Sequence, residues 1–200
     1  LFSLIGNHSD VRKAVSSDFK NVGDHIYLLG ETHQELGASE LAFMFRDGSG
    51  GQSGIGGEVP EIDTARNLSM YRSLTAAMRT GLVASAHDCS DGGLATAVAE
   101  CCFGSDSGGI IDISSISFDC SRIDAWGALF GESLGRILVS VKTIDCAAFE
   151  SAMKGHACYA LGRVEAGDRI TFNNGDDAVL SASMADLRVA WKGTLDGGTN

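Results

Sequence analysis

The stretch from Asp63 to Phe103 constrains the fold more than any other part of the chain. Leu68, Tyr71, Leu74, Thr75 and Met78 recur at helical spacing over Thr64–Thr80, with Asp63 placed as the N-cap and Gly81 as the closing glycine. A short apolar run, Leu82–Ala86, follows at once and reads as a buried strand. After a polar turn, the alanine-rich Leu94–Phe103 (LATAVAECCF) reads as a second helix. Helix, strand, turn and helix in quick succession commit this region to a sheet with helices packed on it.

The remaining elements repeat that alternation. His25–Leu29 (HIYLL) is a strand opened by the Gly23-Asp24 turn, Gly109–Ile113 a strand, Asp124–Phe130 a short helix, and Arg136–Val141 (RILVSV) the strongest strand pattern in the chain. Cys146–Met153 reads as a helix. Cys158–Val164, Arg169–Phe172 and Ala178–Leu180 form a strand meander with turns at Gly167-Asp168 and Asn174-Gly175, and Ser183 caps a last helix, Met184–Trp191. The fold class is therefore α/β (α+β), a layered domain with a mixed sheet covered by helices, and residues 1–200 make one domain. Gly48 to Gly57 holds six glycines in ten residues, which no regular element tolerates. It is expected to be a mobile surface loop over about 47–58. The chain opens on Leu1 inside what reads as a strand (Leu1–Ile5), so a piece of a longer protein is expected.

Charge excludes some partners. Fifteen Lys and Arg against 26 Asp and Glu leave a net charge of −11, which argues against nucleic-acid or anionic-membrane surfaces, since both need clustered cations. No stretch reaches the length of a membrane span. The six cysteines form no CxxC pair and have no zinc spacing, which points to free, mostly buried thiols in a reducing cytoplasm.

Three polar segments could carry chemistry. The densest is His87-Asp88-Cys89-Ser90-Asp91-Gly92-Gly93, between a strand and a helix N-terminus. Such a turn is a generic phosphate site, and its carboxylates suit a divalent cation that bridges to phosphate oxygens. The same residues also make an ordinary helix cap and tight turn, with His87 satisfied in the core. Gly131-Glu132-Ser133-Leu134-Gly135 matches G-x-S-x-G, but a helix precedes it and a strand follows, the reverse of a nucleophile elbow. The third segment, Gly30 to Glu40, leaves the HIYLL strand and is either a plain connection or a ligand-facing loop.

Taken together, GDHIYLLGETHQELGASEL (23–41), SAHDCSDGGLATAVAE (85–100), LFGESLGRILVSV (129–141) and YALGRVEAGDRITF (159–172) resemble the phosphoribosylformylglycinamidine synthase family, in its short, multi-subunit type. That family belongs to the aminoimidazole ribonucleotide synthetase-related superfamily. The resemblance implies a C-terminal domain of a longer, cytoplasmic ligase of purine biosynthesis, partly ferredoxin-like. The whole enzyme would use ATP and glutamine-derived ammonia to convert formylglycinamide ribonucleotide to formylglycinamidine ribonucleotide. It implies Asp88 as a Mg²⁺ ligand and Ser90, with His87, Asp91, Gly92 and Gly93, as nucleotide (ATP/ADP) contacts. The catalytic histidine would lie in N-terminal domains outside this chain, so the fragment alone is expected to be inactive and to self-associate. Implied partners are those N-terminal domains, a glutaminase subunit and a small accessory subunit. Leu134 stands where the family commonly has Gln, which implies that this Glu-Ser turn is kept for structure. Two alternatives stay open: an auxiliary nucleotide-binding or structural half-domain, and a sister ATP-dependent kinase or synthetase.

Overall fold

Strand β1 (His25–Leu29) is apolar at nearly every position because it is covered on both faces. Ile26 and Leu28 point into one hydrophobic core, and Tyr27 and Leu29 into another. The computed structural model describes residues 3, 5–8, 10–45, 57–105, 107–116 and 124–193. Most of the glycine-rich stretch lies outside the described residues. So does most of Leu1–Ile5, whose described members Ser3 and Ile5 belong to no strand.

The other elements are α1 (Glu40–Met44), α2 (Thr64–Arg79), β2 (Ser85–Asp88), α3 (Gly93–Phe103), β3 (Gly108–Asp112), α4 (Ala125–Phe130), β4 (Ile137–Val141), α5 (Cys146–Ala152), β5 (Cys158–Glu165), β6 (Arg169–Asn174), β7 (Asp177–Ser183) and α6 (Met184–Gly193). Among the described residues they form a seven-stranded mixed sheet in the order β2-β4-β1-β5-β3-β6-β7. Among the described residues only β3 and β6 pair in parallel. The antiparallel quartet β2-β4-β1-β5 has the strand order of a ferredoxin-like unit, with α2 and α5 as its crossovers on one face. There Met70, Leu74 and Ala77 of α2 and Phe149 of α5 cover Tyr27, Leu29, Val139 and Val141. Helices α3, α4 and α6 cover the opposite face, where Leu94, Val98, Leu129 and Met184 meet Ile26, Leu28 and Leu138. Layered α/β architecture is thus what the chain adopts, with the sheet in the middle.

Capping follows the sequence closely. Asp63 Oδ1 accepts from Arg66 N at 2.9 Å, Asp124 Oδ1 from Gly127 N at 2.8 Å, and Ser183 Oγ from Asp186 N at 3.1 Å. Two elements differ from expectation. The strand expected over Leu82–Ala86 begins three residues later, because the Gly81 turn and the Leu82 N–H to Ala77 carbonyl bond still tie that segment to the end of α2. His87 and Asp88 are therefore the last residues of β2 and do not belong to the turn. The short helix α1, capped by the Ser39 hydroxyl accepting from Ala42 N at 3.2 Å, has no counterpart among the expected elements. Its five residues are too few for a helical period to register. Five of the six cysteines lie among the described residues, and all five are free thiols. No helix among the described residues is long and apolar enough to cross a membrane.

Candidate functional site

The three polar segments singled out in the sequence meet at one place. β2 ends at Asp88, next to the start of β4, whose Ile137 is its cross-strand partner. The turn 89–92 then leads into α3. The 131–135 turn precedes β4, and the segment 30–39 leaves β1, the other neighbour of β4. Adjacent strands thus deliver three turns to the same end of the sheet.

Glu132 and Ser133 fasten those turns together. Glu132 Oε1 accepts from Gly92 N–H and from Glu40 N–H, both at 2.9 Å. Ser133 Oγ accepts from His33 N–H at 2.9 Å, and Glu132 N–H donates to the Glu35 carbonyl at 3.3 Å. Beneath them Arg136 is fully buried. Its guanidinium donates to the Gly131 carbonyl, to the Ser133 carbonyl and to Thr32 Oγ1. Burial lowers the Arg136 pKa from its ordinary value, and the carboxylates of Glu35 and Glu132 oppose that shift. Sequence reading took Arg136 only as the first residue of a strand. The available signal was a guanidinium directly before a run of apolar residues, where only an internal polar network could satisfy it.

The glycine pair has a packing role. Gly92 and Gly93 both have left-handed backbones, with φ of 76° and 65°. A Cβ on Gly93 would lie 2.5 Å from the Gly131 carbonyl oxygen. The close approach that Gly93 permits is therefore to the 129–131 turn. Gly92 N–H is satisfied by Glu132 and Gly93 N–H by the Ser90 carbonyl at 3.0 Å. A carboxylate of the chain itself thus sits at the start of α3, where an anion is favoured.

Asp88, Ser90 and Asp91 are exposed on the outer side of this turn. The Ser90 hydroxyl donates to Asp88 Oδ2, and this is the chief reason the Asp88 carboxyl titrates below its usual range. His87 is less available: its Nε2 is 2.8 Å from Glu100 Oε2, and its Nδ1 is 3.4 Å from Asp88 Oδ1. Among the described residues no three His, Cys, Asp or Glu side chains converge as a closed metal site. Asp88 is one exposed, ionised carboxylate, which fits a Mg²⁺ ion that takes its other ligands from water and phosphate oxygens.

A family model for the AIR synthase related protein, C-terminal domain, matches residues 21–173. Among solved structures, phosphoribosylformylglycinamidine synthase II from Thermotoga maritima matches with a TM-score of 0.71 at 17% identity, over 88% of this chain and 27% of that one. T. maritima PurL complexed with FGAR matches with a TM-score of 0.76 at 17% identity, over 88% and 30%. A chain of the HypE–HypF complex matches with a TM-score of 0.61 at 16% identity, over 84% and 54%. The chain spans less than a third of the synthase structures and about half of the matching chain of the HypE–HypF complex. At these identities the structural likeness speaks for the fold, and the match over residues 21–173 for the family. By that match, which takes in all three turns of the site, the chain belongs to the AIR synthase related, C-terminal domain family.

Proposed function

We propose that this chain is the C-terminal domain of a phosphoribosylformylglycinamidine synthase, a cytoplasmic ATP-dependent ligase of purine biosynthesis. One observation carries the reading. The GET, HDCSDGG and GES-x-x-R segments, which suggested that family from sequence, are joined in space by Glu132, Ser133 and Arg136. In the complete enzyme formylglycinamide ribonucleotide, ATP and glutamine-derived ammonia would give formylglycinamidine ribonucleotide, ADP and phosphate. Its other parts would be the N-terminal domains, a glutaminase subunit and a small accessory subunit.

In this reading Asp88 holds Mg²⁺ and Ser90 meets the nucleotide, with Asp91, Gly92 and Gly93 shaping the turn and His87 fixing the end of β2 through Glu100. When bound, the ion would neutralise phosphate charge. Ser90 keeps Asp88 ionised and aimed outward. Arg136 and Glu132 hold the turn in place from behind. An auxiliary rather than catalytic nucleotide role is favoured by Glu132, which already fills the Gly92 N–H, and by the apolar Leu134 beside it.

The test is calorimetric titration of Mg·ADP into the full-length parent and into this chain, each with and without Asp88→Ala, together with turnover of formylglycinamide ribonucleotide by the parent. Magnesium-dependent binding that Asp88→Ala abolishes is expected. Identical binding by wild type and Asp88→Ala parent would reduce the turn to a helix cap. A parent that never turns over this substrate would overturn the synthase reading itself.

A further inference from the structure

The Asn174-Gly175 turn carries a chemistry that the proposed function does not use. Asn174 is the one asparagine of the chain that precedes a glycine. It ends β6 and pairs with Asp177 of β7, so Gly175 and Asp176 form a two-residue hairpin loop. Gly175 has φ of 64°, a left-handed backbone that suits glycine as the first central residue of such a loop. β7 is the last strand of the sheet, and Asn174, Gly175, Asp176 and Asp177 are all exposed. A Cβ at Gly175 would meet nothing within 4 Å.

An asparagine before a glycine can modify itself. The backbone nitrogen of the glycine attacks the side-chain carbon Cγ and closes an imide ring. The N–Cγ bond forms, the bond from Cγ to the amide nitrogen breaks, and ammonia leaves with the backbone proton. Water then opens the imide. Cleavage at Cγ gives aspartate, and cleavage at the main-chain carbonyl gives isoaspartate. Amide and water thus become carboxylic acid and ammonia, with no oxidant or other co-reactant. Glycine favours the attack because no side chain shields its nitrogen and its backbone turns freely.

Here the attacking nitrogen is held by another strand. Gly175 N–H donates to Asp112 Oδ1 at 3.0 Å, and the same oxygen accepts from Ser114 N–H at 2.9 Å. Burial pushes the Asp112 carboxyl up, but the bonds from Gly175 and Ser114 outweigh it and hold it below its ordinary range. A carboxylate on that N–H opposes the attack twice. The proton must leave the nitrogen, which a neighbouring negative charge disfavours. The nitrogen must also turn from Asp112 to Asn174 Cγ, which breaks a charge-assisted bond. We infer that Asn174 is a site of spontaneous deamidation, and that Asp112 restrains it by holding the Gly175 nitrogen. The product adds a carboxylate to a tip that already carries Asp112, Asp176 and Asp177, and isoaspartate also lengthens the main chain there, so the reaction loosens the β6–β7 hairpin irreversibly. This inference is independent of the synthase reading, because it uses neither Asp88 nor a nucleotide.

The test is incubation of the intact 200-residue chain in mildly alkaline buffer, folded and in urea, with peptide mass spectrometry resolving asparagine, aspartate and isoaspartate at position 174. Product is expected in the folded chain, forming at least roughly tenfold more slowly than in urea, where the bond to Asp112 is absent. Asp112→Ala should speed the folded chain roughly tenfold, and Asp112→Asn, which keeps an uncharged acceptor, roughly threefold. Amide hydrogen exchange over β6 and β7 follows the hairpin in each variant, and Asp112→Asn carries the test if Asp112→Ala fails to fold. Absence of product in the folded wild type, equal rates folded and in urea, rates unchanged or lowered in the Asp112 variants, or a rise seen only where exchange shows a melted hairpin would each overturn the inference.

Discussion

Glu132 Oε1 accepts from Gly92 N–H at the start of α3 and from Glu40 N–H at the start of α1, at 2.9 Å each. One carboxylate oxygen therefore serves two helix beginnings that lie 52 residues apart in the chain (92 − 40). Both bonds are charge-assisted, and both helix dipoles favour the charge placed there. Glu132→Ala removes both and is expected to destabilise the domain by about 2 kcal/mol, while Glu132→Gln, which keeps a neutral acceptor, should cost less. Urea denaturation followed by circular dichroism measures the difference.

Arg136 should be the costlier residue to lose. Arg136→Met fits the space but leaves the Gly131 and Ser133 carbonyls and Thr32 without their donor, and strands the negative neighbours Glu35 and Glu132. Truncating one side of a buried charge network costs about 3–5 kcal/mol. Arg136→Lys retains the charge without the planar fork and should fall between Met and wild type. A ranking with Lys as poor as Met would make geometry, and not charge, the decisive property of this site.

The two kinds of left-handed glycine separate strain from crowding. Gly81 has φ of 80° and open space where a Cβ would go. Gly81→Ala is expected to cost about 1 kcal/mol for the backbone alone. Gly93→Ala adds a contact of 2.5 Å with the Gly131 carbonyl and should cost about 3 kcal/mol. Thermal midpoints of the two variants, compared at one scan rate, check the order.

Ser90 sets the protonation of Asp88. Because the folded-state pKa of Asp88 lies below its unfolded value, the associated stability is present above the unfolded pKa and is lost as pH falls through the folded one. Ser90→Ala should raise the Asp88 pKa towards its ordinary value, visible in carboxyl ¹³C shifts. The stability difference between Ser90→Ala and wild type should shrink as the solution is acidified through that range.

Burial pushes the Cys89 thiol up to about 11 and Cys102 up to about 12, and raises Cys101 as well. At pH 8 these three should stay unmodified by iodoacetamide in the folded chain and react only on unfolding. Among the described cysteines, Cys146, partly exposed on α5, should be alkylated first. Peptide mass spectrometry after timed quenching resolves the sites.

The sequence by itself determined most of the elements and the class of the fold, because those depend on neighbours within a few residues. Asp63 and Ser183 are recognisable caps wherever they fall, and the HIYLL and RILVSV runs are strands by composition. It also located the three polar turns. Only the tertiary structure decided how they are used. Strand order brings 92, 132 and 40 within one hydrogen-bonding oxygen of each other, and no local pattern encodes an antiparallel sheet that places β4 between β1 and β2. The same long-range pairing buried Arg136 under the turns and turned Gly93 towards a neighbouring carbonyl. It also closed over Glu35, whose Oε2 is buried without a hydrogen-bond partner among the described residues. Burial and partner choice are properties of contacts distant in sequence, so residues such as Arg136 and Glu35 acquire their roles only when the sheet closes around them.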